Sequence, residues 1–395
     1  MLVKISKRNT QIYYITQFFH SLIFTIPIWV VFYQARITPA QIAFLITFQY
    51  ASQMIMELPS GALADLLGRR VTILIGFLVG SLGYLLVPFA SSFWHFLVLW
   101  FFIGMSDSFR SGSEEALLYD SFKQDKRETA YSKVYGNGNI IYQVGLITAT
   151  FLGGLIFEYA QHLPFFLLGL SMVIGAIVTV FYIEPIIDSE TFTLSNYKKQ
   201  IIIGAKEAFK TTYSKYLSLF YIFVGGIGWS STLFFNAYIM VDLGFPDALR
   251  GYLTAAMRLI NVVLITKLLT NAKLFNRKRT LIFFPLIMLF GYLPGIWLNG
   301  FWGLPFVQAV MIISTARWII LSPLTNEVFS SKYRATAISS LSMLIGVVYI
   351  SLTSISGFVI SNYGVKTMYS LLGVISLVTV VPLTYKLLTT DKAQA

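Results

Sequence analysis

Residues 41–89 read QIAFLITFQYASQMIMELPSGALADLLGRRVTILIGFLVGSLGYLLVPF. Two apolar runs, 41–63 and 71–89, flank one short turn that carries Asp65, Gly68, Arg69 and Arg70. Each run is close to the roughly 20 apolar residues that a helix needs to cross a bilayer. Working outward, the same alternation of apolar run and short basic gap fills the chain. Twelve spans are expected, at 11–34, 41–63, 71–89, 94–120, 132–157, 163–184, 217–241, 249–268, 280–298, 302–324, 335–360 and 367–386. Of the 395 residues, 56% are hydrophobic and only 12% charged, with a mean hydropathy of +0.72. Soluble domains carry about 25% charged residues, so this composition specifies an all-α integral membrane protein. With no cysteine and three histidines, a Cys-ligated metal, an iron–sulfur centre or a His-rich metal site is excluded, and no cofactor is expected.

The net charge of +12 is a membrane signal rather than a nucleic-acid one, because the basic residues sit between spans. On one face, seven segments hold 23 of the 29 Lys and Arg. The opposite loops hold Arg36, Arg250 and Lys366, and Arg110, Arg258 and Arg317 fall inside spans. Lys and Arg are retained on the cytoplasmic side. A multi-pass protein of the cytoplasmic membrane with both termini inside is therefore expected. Lys4, Lys7 and Arg8 precede a first span of about 24 residues, too long for a signal h-region, so that span is expected to stay as an anchor. Three parts are expected: a six-helix half over 1–184, a cytoplasmic linker over 185–217 and a second six-helix half over 218–395. The linker ends IIIGAKEAFKTTYSKY (201–216), which reads either as a basic amphipathic helix on an anionic membrane face or as a plain tether.

The halves repeat. Gly83-Tyr84-Leu85 recurs as Gly291-Tyr292-Leu293 and Phe93-Trp94 as Phe301-Trp302, both 208 residues on. Gly68-Arg69-Arg70 aligns with Asn276-Arg277-Lys278 at that offset. Arg127-Glu-Thr129-Ala130-Tyr-Ser132 returns as Arg334-Ala-Thr336-Ala337-Ile-Ser339, shifted by 207. Parallel repeats of this kind suit a transporter that binds its substrate near the midplane.

Gly61-Ala-Leu63-Ala-Asp65-Leu-Leu-Gly68-Arg69-Arg70 resembles the signature loop of the major facilitator superfamily, Gly-x-Leu-x-Asp-x-x-Gly-Arg-Arg/Lys. The resemblance implies that fold, with twelve helices in two pseudo-symmetric halves. It also implies a gating role for Gly61, Asp65, Gly68, Arg69 and Arg70, with Asp120 at the end of the fourth span on the same membrane face. In the family such charges latch the cytoplasmic side in one state and release it in the other; a static surface ion pair worth about 0–1 kcal/mol is the alternative. Ser111-Gly112-Ser-Glu-Glu115-Ala116-Leu117-Leu-Tyr119-Asp120 and Glu57-Leu58-Pro59-Ser60-Gly61 look like bacterial drug–proton antiporter-like members. Two features depart from them. The fifth span has Gly145 and Gly153-Gly154 but no Gly-Pro pair, and Arg110 is not followed by an Arg-x-x-x-Gly spacing.

Ionisable groups at helix centre cost about 2.5–3.5 kcal/mol on insertion scales and are functional candidates for that reason. The third, sixth, ninth and twelfth spans carry none between Val71–Pro88, Leu163–Ile183, Thr280–Leu298 and Thr367–Tyr385, in keeping with lipid-facing helices in the fold that the resemblance implies. Asp107, Arg110 and Glu114 lie within about 60° on one face of the fourth span. Burial and a neighbouring guanidinium pull a carboxyl's proton affinity in opposite directions. Asp107 or Glu114 is thus a candidate proton carrier, the alternative being that Arg110 neutralises both for insertion. Arg258 and Arg317 are further cavity candidates. Together with Arg110 they favour an anionic or polar substrate, or act as structural pairs. His20 titrates in a useful range and shares a face with Gln17. Glu57, near the cytoplasmic end of the second span, is a gate candidate. The 34 Phe and 23 Tyr face lipid or line a pocket for flat lipophilic molecules.

The expected function is alternating-access transport of a small solute with proton coupling. Export of lipophilic or drug-like compounds leads, and uptake of a polar or anionic metabolite is the alternative. No phosphate-cradling Gly-rich Lys-Ser/Thr loop is present, so ATP is not the driver. A membrane enzyme and a permease or sensor subunit are readings of another class; the first lacks a clustered nucleophile or metal site, the second a docking domain. The partners expected are a small-molecule substrate, protons and the lipid bilayer, with no nucleic acid, and the protein is expected to be a monomer.

Overall fold

A computed structural model describes residues 4–186, 202–270, 277–321, 324–325, 328–330 and 334–390; these are helical apart from short connections, with no strand among them. Contacts divide the chain into two compact units. The first comprises Met1–Ile37, Phe44–Thr193 and Pro246–Ala255, the second Thr38–Ala43, Leu194–Phe245 and Ala256–Ala395.

In the order of the chain, α1 (Ile5–Ser21), α2 (Trp29–Gln34), α3 (Pro39–Leu67), α4 (Arg69–Leu86), α5 (Phe93–Gln124), α6 (Tyr131–Tyr159) and α7 (Leu163–Thr179) come first. The expected first span, 11–34, is broken. Helix α1 begins earlier, at Ile5, and stops at Ser21, and turns over 22–28 lead into α2. Pro27 explains the break, since it has no N–H to donate and its ring displaces the carbonyl four residues back. The sixth span also ends sooner than expected, at Thr179 rather than 184.

Small residues bring these helices together, as they do in membranes where lipid is as apolar as leucine. On α4, Gly76, Gly80 and Gly83 form a stripe facing α5. A Cβ on Gly76 would lie 2.6 Å from Arg110 Cγ, and one on Gly83 would lie 2.9 Å from Ile103 Cγ1. Gly104 of α5 lies in the same way against the backbone of Gln49 on α3. Thr16, Arg110 and Glu114 are buried in this packing alongside Phe77 and Phe109.

The second unit holds α8 (Thr212–Ser230), α9 (Asn236–Asp242), most of α10 (Asp247–Thr270), α11 (Arg277–Tyr292), α12 (Leu304–Ile320) and α13 (Arg334–Thr389). A π-helical turn at Ser231–Phe235 joins α8 to α9. The expected eleventh and twelfth spans meet with almost no loop. The chain is helical from Arg334 to Thr389 except at Gly364, whose φ of 79° and ψ of 164° form the corner between them; only glycine adopts that region freely.

The sequence repeat has a packing counterpart. Gly83 meets Ile103 of α5, and its repeat Gly291 meets Val310 of α12. Leu85 fills the space left by Gly169 of α7, and Leu293 fills that left by Gly373 in the last part of α13. One Gly-Tyr-Leu triplet thus makes the same two helix contacts inside each unit.

Six described segments are each long and apolar enough to cross a membrane: Arg69–Phe89, Glu128–Tyr159, Thr212–Asp242, Asp247–Lys267, Arg277–Trp297 and the 54-residue Thr336–Thr389, whose length suffices for two crossings. Helix α5 differs because Asp107, Arg110, Glu114 and Glu115 interrupt it. Helix α7 is apolar but has only 17 residues.

Residues 187–201 of the expected linker lie outside the described residues. Residues 202–208 form a helical turn that docks on protein. Glu207 Oε1 accepts the Ser330 N–H at 2.9 Å, and Gly204 lies against Thr336 and Ser340 at the start of α13. The hydrogen bonds from Ser330 hold the Glu207 carboxyl below the usual carboxylate range.

Candidate functional site

Helix α5 presents a polar face into a cavity of about 320 Å³ within the first unit. Asp107, Arg110, Ser111, Glu114 and Glu115 line it from α5, and Tyr13, Gln17 and His20 from α1. Gln53 of α3 and Tyr135, Asn139 and Tyr142 of α6 complete it. The helical period that put Asp107, Arg110 and Glu114 on one face therefore does bring them into one space, together with His20 and Gln17 from the first span.

The three charges do not form a salt-bridged row. Glu114, 4% exposed, accepts hydrogen bonds from three neutral side chains: Thr16 Oγ1 at 2.5 Å and Tyr182 OH at 3.2 Å on Oε1, and Gln17 Nε2 at 3.0 Å on Oε2. Asp107 is half-buried and accepts one, from Gln49 Nε2 at 3.0 Å on Oδ2. Its other oxygen has no side-chain donor among the described residues. Arg110, also 4% exposed, makes no ion pair among the described residues. Its guanidinium carbon instead lies 4.4 Å from the centre of the Phe77 ring. Arg110 thus makes its direct contact with the Phe77 ring, while Asp107 and Glu114 on α5 feel its charge without pairing with it. The His20 ring packs against Tyr142, centroids 5.4 Å apart. Tyr135 OH donates to Glu115 Oε1 at 2.7 Å.

The remaining candidates lie elsewhere. Glu57 is exposed on α3, one turn beyond Gln53, and is not among the residues lining this cavity. Of the three intramembrane arginines only Arg110 lines it. Arg258 on α10 is half-buried in the second unit. Arg317, 2% exposed on α12, packs in the second unit against Gly225 of α8.

The turn between α3 and α4 is a separate assembly. Arg69 pairs with Asp120 at the end of α5. Gly68 has φ 89° and ψ 156°, a region open essentially to glycine alone, and a Cβ there would also lie 3.2 Å from the Glu184 carboxyl carbon. Glu184, beyond the end of α7, was not singled out from sequence. Its Oε1 accepts the Arg69 N–H and its Oε2 the Arg70 N–H, each at 2.8 Å. The carboxylate thereby satisfies two of the free N–H groups at the start of α4 and faces the positive end of that helix. Gly61 is half-buried and Asp65 exposed on the last turns of α3. Glu184→Gln keeps one acceptor but loses the charge. It should lower stability by about 1 kcal/mol, seen as a fall of a few degrees in the unfolding temperature of the purified protein. An unchanged unfolding temperature would show that Glu184 does not anchor the turn.

Comparison with known proteins adds a family. The model of the Major Facilitator Superfamily matches residues 12–326. Over 134 residues the chain is 28% identical to the tetracycline resistance protein, class H, of Pasteurella multocida, covering 34% of this chain and 32% of that protein. The likeness thus spans about a third of that relative's length. Across 90% of both chains it is 22% identical to the uncharacterized MFS-type transporter YxaM of Bacillus subtilis (strain 168). Among solved structures, the nucleoside transporter NupG superposes with a TM-score of 0.78 at 12% identity, over 98% of this chain and 100% of that one. At that identity the likeness is one of fold.

Proposed function

The chain belongs to the major facilitator superfamily, and from that premise we propose that this membrane transporter exports lipophilic, cationic, drug-like compounds in exchange for protons. It works as a monomer in the cytoplasmic membrane with both termini inside. The observation that carries the reading is the wall of the α5 cavity, where Asp107, Glu114 and Glu115 surround a single arginine and three tyrosines supply ring faces. Carboxylates and aromatic faces are the groups that hold an organic cation. The likeness to a tetracycline resistance protein over a third of its length supports export.

The two carboxylates Asp107 and Glu114 have different work. Glu114 has both oxygens engaged by donors from α1 and Tyr182, so it serves as a fixed acceptor that ties those elements to α5. Asp107 has an oxygen to spare. There a proton and a substrate cation exclude one another, which is what an exchanger needs. The loop at Gly61, Asp65, Gly68, Arg69 and Arg70, with Asp120, serves as the gate.

The reading is tested in everted vesicles carrying the protein and an imposed pH gradient, challenged with tetraphenylphosphonium, ethidium and rhodamine 123. Discharge beyond that of empty vesicles is expected. No discharge by any of the three would transfer support to the second reading, uptake of a polar or anionic metabolite, which the absence of an ion pair to Arg110 among the described residues favours.

A further inference from the structure

We propose that the transported molecule is a zwitterion, carrying beside its cationic group a carboxylate or similar oxyanion that Arg110 receives. This deepens the export reading and rests on it. Among the described residues, Arg110 is the cavity's one buried charge with no hydrogen-bond or ion-pair partner. It is 4% exposed, its Nε has no hydrogen bond, and no carboxylate pairs with it. A guanidinium has five N–H donors in a planar fork that matches a carboxylate; Asp107 and Glu114 are near enough to feel its charge, yet neither accepts a hydrogen bond from it, and buried donors left without an acceptor are costly. The nearest carboxylates make their hydrogen bonds elsewhere, Asp107 with Gln49 and Glu114 with Thr16, Gln17 and Tyr182.

The fold has built this position. Gly76 leaves the slot that the Arg110 stem fills, since a Cβ there would lie 2.6 Å from its Cγ, and Phe77 on the next residue supports the guanidinium. The arginine is thus placed by α4 without help from an anion, and the place for the anion is left to the cargo. Groups for the opposite charge lie alongside. By the rise of an α-helix, Asp107 and Glu115 are about 4.5 and 7.5 Å along the axis from Arg110 on either side. Asp107 has a spare oxygen, and Glu115 is exposed with one oxygen taken by Tyr135. A molecule with opposite charges about 5 Å apart satisfies Arg110 and one carboxylate together and adds no net charge to an intramembrane site. Tyr13, Tyr135 and Tyr142 receive its ring system.

The test uses purified full-length protein in nanodiscs and two dyes that differ by one group: rhodamine 110, with a free carboxylate, and rhodamine 123, its methyl ester. Binding is read by fluorescence polarisation. Wild type should bind rhodamine 110 at least about tenfold tighter, the equivalent of one charge-assisted hydrogen bond. Arg110→Gln should bring the ratio to about one, and Arg110→Lys, with the charge but not the fork, should leave it in between. Equal wild-type affinity for the two dyes overturns the proposal, as does a ratio that Arg110→Gln leaves in place. The wild-type comparison needs no variant, so a poorly folding substitution does not remove the test. Equal binding together with gradient discharge by rhodamine 123 overturns the zwitterion and leaves cation export standing. Binding of neither dye and no discharge overturns both.

Discussion

Asp107→Asn abolishes gradient-driven transport while substrate exchange without a gradient persists. The substitution keeps the shape of the side chain and an oxygen that accepts from Gln49 Nε2, so the link between α3 and α5 survives. It removes the group that trades a proton for the cargo. The expected loss is about a hundredfold or more in the gradient-driven rate, the scale on which positioned proton-transfer groups act. Proteoliposomes loaded with the transported dye measure both rates in one preparation. Undiminished gradient-driven transport in Asp107→Asn would remove this residue from coupling. Loss of exchange as well would give it a binding role instead.

Glu114→Leu, by contrast, acts first on stability, lowering it by about 2–4 kcal/mol. Leucine fills the space but accepts nothing. Gln17 loses its carboxylate and Tyr182 keeps only Thr16 Oγ1, 3.1 Å away, while Thr16 still has the Tyr13 carbonyl to donate to. Glu114→Gln keeps one acceptor oxygen and should lose less than half as much. Thermal unfolding of the two purified variants in the same detergent orders them. Equal unfolding temperatures for Glu114→Leu and wild type would show that the three hydrogen bonds do not hold α1 and Tyr182 to α5, and would return Glu114 to the list of proton carriers.

The contrast between these carboxylates shows how far sequence reading reaches. Both were visible as charges on one face of one span, seven residues apart, because helical period is a local property. What separates them is the company each keeps. Gln49 lies 58 residues from Asp107, Thr16 lies 98 residues from Glu114, and Tyr182 lies 68 residues from it. Glu184 is 115 residues from Arg69, and as a single acidic residue at the edge of the expected sixth span it gives no local sign that it faces a helix start. Gly76 was legible in part, since Gly76, Gly80 and Gly83 repeat at helical spacing, yet only packing shows that the first of them makes room for Arg110.

From the sequence alone came the membrane class, the repeat and the signature loop, together with the polar face of α5. The membrane class and the polar face follow from hydropathy, charge placement and periodicity within a few tens of residues, the repeat from matching stretches about 208 residues apart, and the loop from its resemblance to a family motif; none needs a contact in space. The tertiary structure decided the break at Pro27, the single-residue corner at Gly364, the docking of residues 202–208 on protein, and which intramembrane charges share a cavity. It also decided that Arg110 rests on Phe77 while its neighbouring carboxylates are bound by neutral donors. Those outcomes depend on which helix faces pack together. A buried charge takes whichever donor or ring the packing brings within reach, and its neighbours along the helix do not determine that choice.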